Sequence, residues 1–257
     1  MHGFTLWQAS VAFAVSFAAG VINSLAGGGT LLTFPTLIWL GLNSITANAT
    51  STVALWPFNI GAGAGYWRET VQVERRMHLM IIPGAIGGFA GALLLRLTPV
   101  TTFDRLVPYL ILFATVLFMA QEPLQKLLRS TDAESHHTSK WFAGALVFEI
   151  FVGLYGGYFG AGIGIMMLAA FGLLGMTDIH QMNAIKNLFG GAINAIAAIY
   201  FIAHRMVHWP YVGLMAIGAT TGGFLGAKLA FRIGRPMVRR IVILVGFAMA
   251  ISLFVRK

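Results

Sequence analysis

The segment Gly153–Asn194, GLYGGYFGAGIGIMMLAAFGLLGMTDIHQMNAIKNLFGGAIN, decides how the chain is built. A glycine-rich break leads into a short apolar piece and then into a long apolar run that carries one lysine. Lys186 is set among Ala184, Ile185, Leu188 and Phe189. An ammonium in hydrocarbon costs from about 3 to over 10 kcal/mol unless a cavity or a partner receives it. Lys186 is therefore expected to face a polar cavity.

The segment has a copy earlier in the chain. A shift of 135 residues brings Asn48 onto Asn183, Ser51 onto Lys186, Asn59 onto Asn194, Gly88 onto Gly223, Phe89 onto Phe224, Gly91 onto Gly226 and Arg105 onto Arg240. A shift of 134 aligns Gly28 with Gly162 and Gly41 with Gly175, so the halves differ by one residue in the turn after Gly41. Such order predicts two copies of one unit, a first repeat over 1–120 and a second over 141–257, joined by a polar linker at 121–140.

Hydrophobic residues make up 58% of the chain and charged residues 10%, and mean hydropathy is +0.80. Soluble domains carry about 25% charged residues, so this is a membrane protein by composition. With no cysteine, thiol chemistry and disulfides are excluded. The net charge of +9 sits in short loops, the pattern of lipid-facing edges and not of a nucleic-acid surface. No cofactor is implied. Partners are the bilayer and a small anion, with a second copy of the chain left open and no nucleic acid.

At roughly 20 residues per crossing, Phe4–Leu25, Thr46–Tyr66, Met77–Leu95 and Phe103–Ala120 span in the first half, and Trp141–Phe159, Gln181–Ala203, Pro210–Phe231 and Met237–Val255 in the second. Leu31–Leu40 and Ile165–Leu174 are too short and follow the breaks at Gly27–Gly29 and Gly160–Gly164. These read as half-helices or re-entrant segments. The fold expected is an all-α polytopic bundle of two repeats with about five membrane segments each. Five is odd, which inverts the second copy. Charge bias agrees: with five segments, eleven Lys and Arg fall on one side (Arg68, Arg75, Arg76, Lys126, Arg129, Lys140, Lys228, Arg232, Arg235, Arg239, Arg240) and five on the other.

A break inside lipid leaves backbone N–H groups without partners at the positive end of a half-helix, a setting that suits an anion. Lys186 and the amides of Asn48, Asn59, Asn183, Asn187 and Asn194, with Thr50, Ser51 and Thr52, are the side chains able to complete such a site. Asn183, Lys186 and Asn187 fall at i, i+3 and i+4, on one face of a helix. Plainer roles compete with this one. Gly87, Gly88 and Gly91 fit close helix packing, Asn59 and Asn194 fit bonds across helices, and Asn48 and Asn183 fit N-caps. Glu149, a carboxylate at membrane depth, is either the ion partner of Lys186, a role Asp178 also suits, or a proton carrier. The adjacent His136 and His137 read as a solvated loop and not as a metal pair. No G-x-S-x-G or H-E-x-x-H spacing supports an intramembrane enzyme, and a partner-binding membrane subunit is the remaining class.

The run AGVINSLAGGGTLLTFPTLIWLGLNSITANATS over 19–51 resembles the opening of the sulfite exporter TauE/SafE family, and GGYFGAGIGIMMLAAFGLLGM over 156–176 resembles its second-half counterpart. The resemblance covers essentially the whole chain. It implies a transporter of sulfur-containing anions, such as sulfite or organosulfonates, in the bacterial inner membrane. It places Asn23, Gly27, Gly28, Gly29, Thr50 and Ser51 near substrate in the first half, and Gly160, Gly162 and Gly164 in the second. Two departures stand out: Ala169 replaces in the second half the proline that the first half has at Pro35, and Lys186 occupies a place where many members carry a small hydroxyl residue. The lysine favours a negatively charged substrate.

Overall fold

A computed structural model describes residues 5–25, 28–65, 67–129, 139–174, 176, 178–233 and 235–255. Gly27, His136 and His137 lie outside these residues, as does the side chain of Asn59. The described residues form twelve helices and no strand: α1 (Leu6–Leu25), α2 (Thr30–Trp39), α3 (Ser44–Gly65), α4 (Trp67–Gln72), α5 (Arg75–His78), α6 (Ile81–Leu97), α7 (Val100–Arg129), α8 (Ser139–Tyr158), α9 (Ile163–Leu173), α10 (Ile179–Ala203), α11 (Trp209–Ile233) and α12 (Arg235–Val255).

The distribution of polarity is that of a membrane protein. Ile86, Phe151, Ile199 and Phe224 point outward, at 60–75% exposure, whereas Ser16, Thr33, Thr50, Ser51 and Glu149 are fully buried. Apolar groups belong on the outside only where the solvent is itself apolar. Leu6–Asn23, Val100–Ala120 and Gln181–Ala203 are long and apolar enough to cross a bilayer, with shorter apolar helices between them. At about 1.5 Å per residue, the ten residues of α2 and eleven of α9 cover about half of a ~30 Å hydrocarbon core.

The two breaks share details of backbone geometry. Gly28 and Gly162 both take left-handed φ values, +94° and +85°, and each carbonyl accepts the amide three residues on, Leu31 and Ile165, at 3.0 Å. Leu42 N–H on Leu37 O is matched by Met176 N–H on Phe171 O, at 3.1 and 3.0 Å. Beyond this turn the offset becomes 135: Asn43 Oδ1 accepts from Thr46 and Asp178 Oδ1 from Gln181, at the starts of α3 and α10. The offset between matching hydrogen bonds thus changes by one residue between Leu42 and Asn43.

Two tight seams join the halves. In one, Gly20 of α1 abuts the Ala219 carbonyl and Gly223 amide of α11; in the other, Gly153 of α8 abuts the Gly84 carbonyl and Gly88 amide of α6. A methyl at Gly20, Gly153, Gly223, Gly87, Gly91, Gly157 or Gly222 would collide with the neighbouring backbone or side chain, and one at Gly84 or Gly88 would lie only 3.1 Å from a side chain. Small residues admit such contact in membranes, where dispersion rather than hydrophobic burial holds helices together. Gly87, Gly88 and Gly91 are therefore packing positions. Within each seam the chains run the same way: Ser16 lies by Gly218 and Gly20 by Gly223, while Glu149 lies by Gly84 and Tyr158 by Gly91.

Within the stretch expected as a polar linker, 121–140, α7 continues to Arg129 and α8 starts at Ser139. LQKLLR, at 124–129, consists of strong helix formers, so the helix has no reason to stop where the apolar run does. The charged stretch 68–76 is likewise partly helical, in α4 and α5.

Candidate functional site

Lys186 of α10 lies against the second break, where the structure brings it to Gly164 and Asn183. Gly160 and Gly162 hold left-handed backbone, +82° and +85°, which a side chain adopts only at a cost of about 1–2 kcal/mol. Tyr155 Oη donates to the Ala161 carbonyl at 2.8 Å and fixes the loop from below. α9 then begins: its Ile165 amide is taken by the Gly162 carbonyl at 3.0 Å, and the amides of Ile163 and Gly164 ahead of it have no intrahelical acceptor by construction. Across it runs one face of α10: Asn194 lies beside Gly160, and the methylene stem of Lys186 covers Gly164. A Cβ at Gly164 would lie 3.1 Å from Lys186 Cδ, so the absent side chain is the space in which the lysine lies.

Among the described residues, no carboxylate neutralises the ammonium. Lys186 Nζ donates to Asn183 Oδ1 at 2.8 Å, a neutral acceptor that leaves the positive charge intact. Both carboxylate oxygens of Glu149 lack a hydrogen-bond partner, so the ion pair considered for Lys186 is not formed. Asp178 accepts instead from the Gln181 amide, at 3.4 Å. Lys186, Asn183, Asn187 and Asn194 are all half-buried. A retained charge beside a helix N-terminus is an arrangement complementary to a small anion.

The first break shares the backbone but is closed by protein. Gly29 N–H donates to Asn23 Oδ1 at 2.7 Å, so one of the free donors is capped from α1. The Phe118 ring of α7 lies over Gly28. Ser51, the counterpart of Lys186, lies 2.6 Å from Thr33 Oγ1 of α2, an internal bond between two fully buried hydroxyls. Thr50 accepts the His208 amide at 3.0 Å and so serves the start of α11, and Thr52 donates to the Asn48 carbonyl. Asn48 is not a cap. It lies in the second turn of α3 and donates Nδ2 to the carbonyl of Tyr158, the last residue of α8, at 2.9 Å. Asn183, also inside its helix, is likewise no cap but the acceptor for Lys186.

The two breaks meet on α7. Phe118 covers Gly28, and Ala114 and Leu117, about one turn away, line Gly162. Phe34 of α2 stacks edge-on against Phe159 at 5.2 Å and joins the first half-helix to the second break. The sequence pattern gave no reason to single out α7 here, because its contacting residues are ordinary apolar ones. Thr33 was equally hidden, a lone hydroxyl in an apolar run.

An all-helical bundle with lipid-facing apolar helices, paired helix breaks and a half-buried cation defines a membrane transport protein. The chain belongs to the sulfite exporter TauE/SafE family, whose sequence profile matches residues 12–253. It is similar to a probable membrane transporter protein of Haemophilus influenzae, 27% identical over 241 residues that cover 93% of this chain and 92% of the relative. It is also similar to the probable membrane transporter protein YfcA of Escherichia coli strain K12, 28% identical over 243 residues (95% and 88%). A third relative, the probable membrane transporter protein ORF9 of a Sinorhizobium species, is 27% identical over 248 residues (94% and 90%). No solved structure matches the chain.

Proposed function

We propose that this protein is a secondary transporter, working as an exporter, of a small sulfur-containing anion such as sulfite or an organosulfonate across a bacterial inner membrane. The observation that carries the reading is Lys186 lying along Gly164 at the mouth of a broken helix, its charge held by an amide and not cancelled. A tetrahedral or pyramidal oxyanion presents several acceptors at once, which matches an ammonium beside the amides that open α9. The sulfur assignment comes from the family; the geometry asks only for a compact anion. A small carboxylate or another oxyanion would satisfy the same donors.

The movement we infer is alternating access between two inverted repeats. Two observations support the inversion. α3 begins where α10 ends, since Thr50 bonds His208, just past Ala203. The chain leaving α3 shares a core with the beginning of α10, where Val73 and Met77 cluster with Met182 and Ile185. These two packed helices, equivalent in the repeat, therefore run in opposite directions. Each seam also joins a helix of one repeat to one of the other, α1 to α11 and α8 to α6, so a rigid half cannot move without the seams sliding.

The test is reconstitution of the purified chain with labelled sulfite, taurine-like sulfonates, sulfate and acetate. Saturable counterflow of one anion is expected, and Lys186→Met should remove it while the protein still elutes as a single species. Counterflow unchanged by that substitution would take the lysine out of the scheme. Flux that never saturates would favour a passive channel.

A further inference from the structure

Of all the polar groups in the described core, Glu149 is the one whose environment makes least sense as packing. Its side chain is 0% exposed and neither carboxylate oxygen has a hydrogen-bond partner. Oε1 would lie 3.1 Å from a Cβ at Gly84, so the carboxyl points into the glycine-lined seam between α8 and α6, with Ile193 of α10 on the other side. A carboxylate anion without a donor is not tolerated in such a place; a neutral carboxylic acid is.

The equivalent place in the other seam shows what packing alone requires. Gly153 stands to Gly84 and Gly88 as Gly20 stands to Ala219 and Gly223. Since Ala219 and Gly223 are the 135-residue counterparts of Gly84 and Gly88, Gly153 matches Gly20 and Glu149 matches Ser16. Ser16 is also fully buried and also points at a glycine, Gly218. It satisfies itself, donating to the Phe13 carbonyl of its own helix at 2.9 Å. A small self-bonded hydroxyl thus closes one seam, and an ionisable group with nothing to bond closes the other.

We infer that Glu149 is the proton-carrying group of this transporter, neutral while the α6/α8 seam is closed and releasing its proton to water when the seam slides open. This inference rests on the transport reading above and adds the coupled ion to it. The step is a plain proton transfer: the Glu149 O–H bond breaks to water on one side of the membrane and re-forms from water on the other. Among the described residues, none is bonded to that carboxyl. α9 has no ionisable side chain, and the single one on α6, Arg96, is three turns beyond Gly84 with Nη1 on the Tyr200 hydroxyl. On α8 itself, Tyr155 is engaged with Ala161. α10 brings Lys186, two turns from Ile193 on the same face and bonded to Asn183. A bound sodium ion is a poorer match, because hard cations take several oxygen ligands and here one side chain offers them.

Glu149→Gln keeps the shape and removes the proton site. In proteoliposomes the wild type is expected to accumulate anion in response to an imposed pH gradient. The variant should lose about tenfold or more of that accumulation while retaining equilibrium counterflow, which moves no net proton. Infrared difference spectra of the purified proteins, which need no substrate, should show a protonated-carboxyl band in the wild type that the variant lacks. Gradient-driven accumulation that survives in Glu149→Gln, a sodium gradient substituting for the pH gradient, counterflow lost together with accumulation, or the absence of that band would each overturn the assignment. No counterflow by the wild type, with the band present, would instead overturn the transport reading.

Discussion

Ser51 and Lys186, and Ser16 and Glu149, are pairs of equivalent positions on a shared backbone. In each pair the first half carries a hydroxyl satisfied inside the protein, on Thr33 or on Phe13. The second half carries an ionisable group: an ammonium held by a neutral amide, or a carboxyl held by nothing. Both halves carry the same kind of break and seam, and the side chains at these four positions differ. The first half is closed by neutral hydrogen bonds, each worth about 1 kcal/mol. The second holds the two ionisable groups on which the proposed transport rests.

The comparison can be attacked directly, beginning with the largest effect. Ser16→Glu would place a second carboxyl against Gly218, where the existing hydroxyl already fills the space; overpacking and an unpartnered acid together should cost more than about 4 kcal/mol. Loss of a monodisperse species in detergent would be the sign. Glu149→Gln should leave thermal stability unchanged or raised, because no bond to the carboxyl is lost. If both substitutions destabilise equally, the seams do not differ as described.

Next in size is Lys186. Replacing it by Met, or by the Ser of the first half, should weaken anion binding by about 30-fold to 1,000-fold, the range for truncating one partner of a buried charged interaction. Melting temperature without ligand should hardly move. A thermal-shift titration measures both quantities, since ligand at 100 times its Kd stabilises by about 2.7 kcal/mol. Ser51→Ala tests the other side of the pair, with an expected loss of about 1 kcal/mol in stability and no change in the anion titration.

Smaller effects separate the breaks themselves. Gly162→Ala imposes a left-handed alanine where the nearest side chain is 3.5 Å away, so it should cost about 1–2 kcal/mol. Gly28→Ala adds a collision with the Phe118 ring and should cost more, in the same melting assay. Asn23→Ala would expose the Gly29 donor, for about 1–3 kcal/mol; an anion that restores the lost stability would show that the first break, too, receives ligand once its cap is removed.

Much of this was legible in the chain because the signals are local or periodic. Composition fixed the solvent, since a chain with 10% charged residues has too few to cover a water-facing surface. The glycine breaks, the short helices after them and the one-residue change after Gly41 could be read from self-alignment, because left-handed turns and helix starts demand particular residues at particular places. The match of Ser16 to Glu149 could not. Offsets of 134 and 135 are visible in identical residues, whereas α1 and α8 are related by 133 and share too few identities to show it. Their correspondence is defined by which backbone atoms touch across the seams.

The sequence by itself determined the membrane class, the duplicated unit, the broken helices and the presence of one lysine and one glutamate deep in apolar runs, since each of these follows from residue type and spacing along a line. The tertiary structure decided which of those groups meet. It placed Lys186 on Asn183 and Gly164, left Glu149 without a partner in a glycine seam, and turned Thr50, Ser51 and Asn48 toward other helices. Such pairings depend on how helices from opposite halves interlock, and distances between them are set by packing, not by position along the chain.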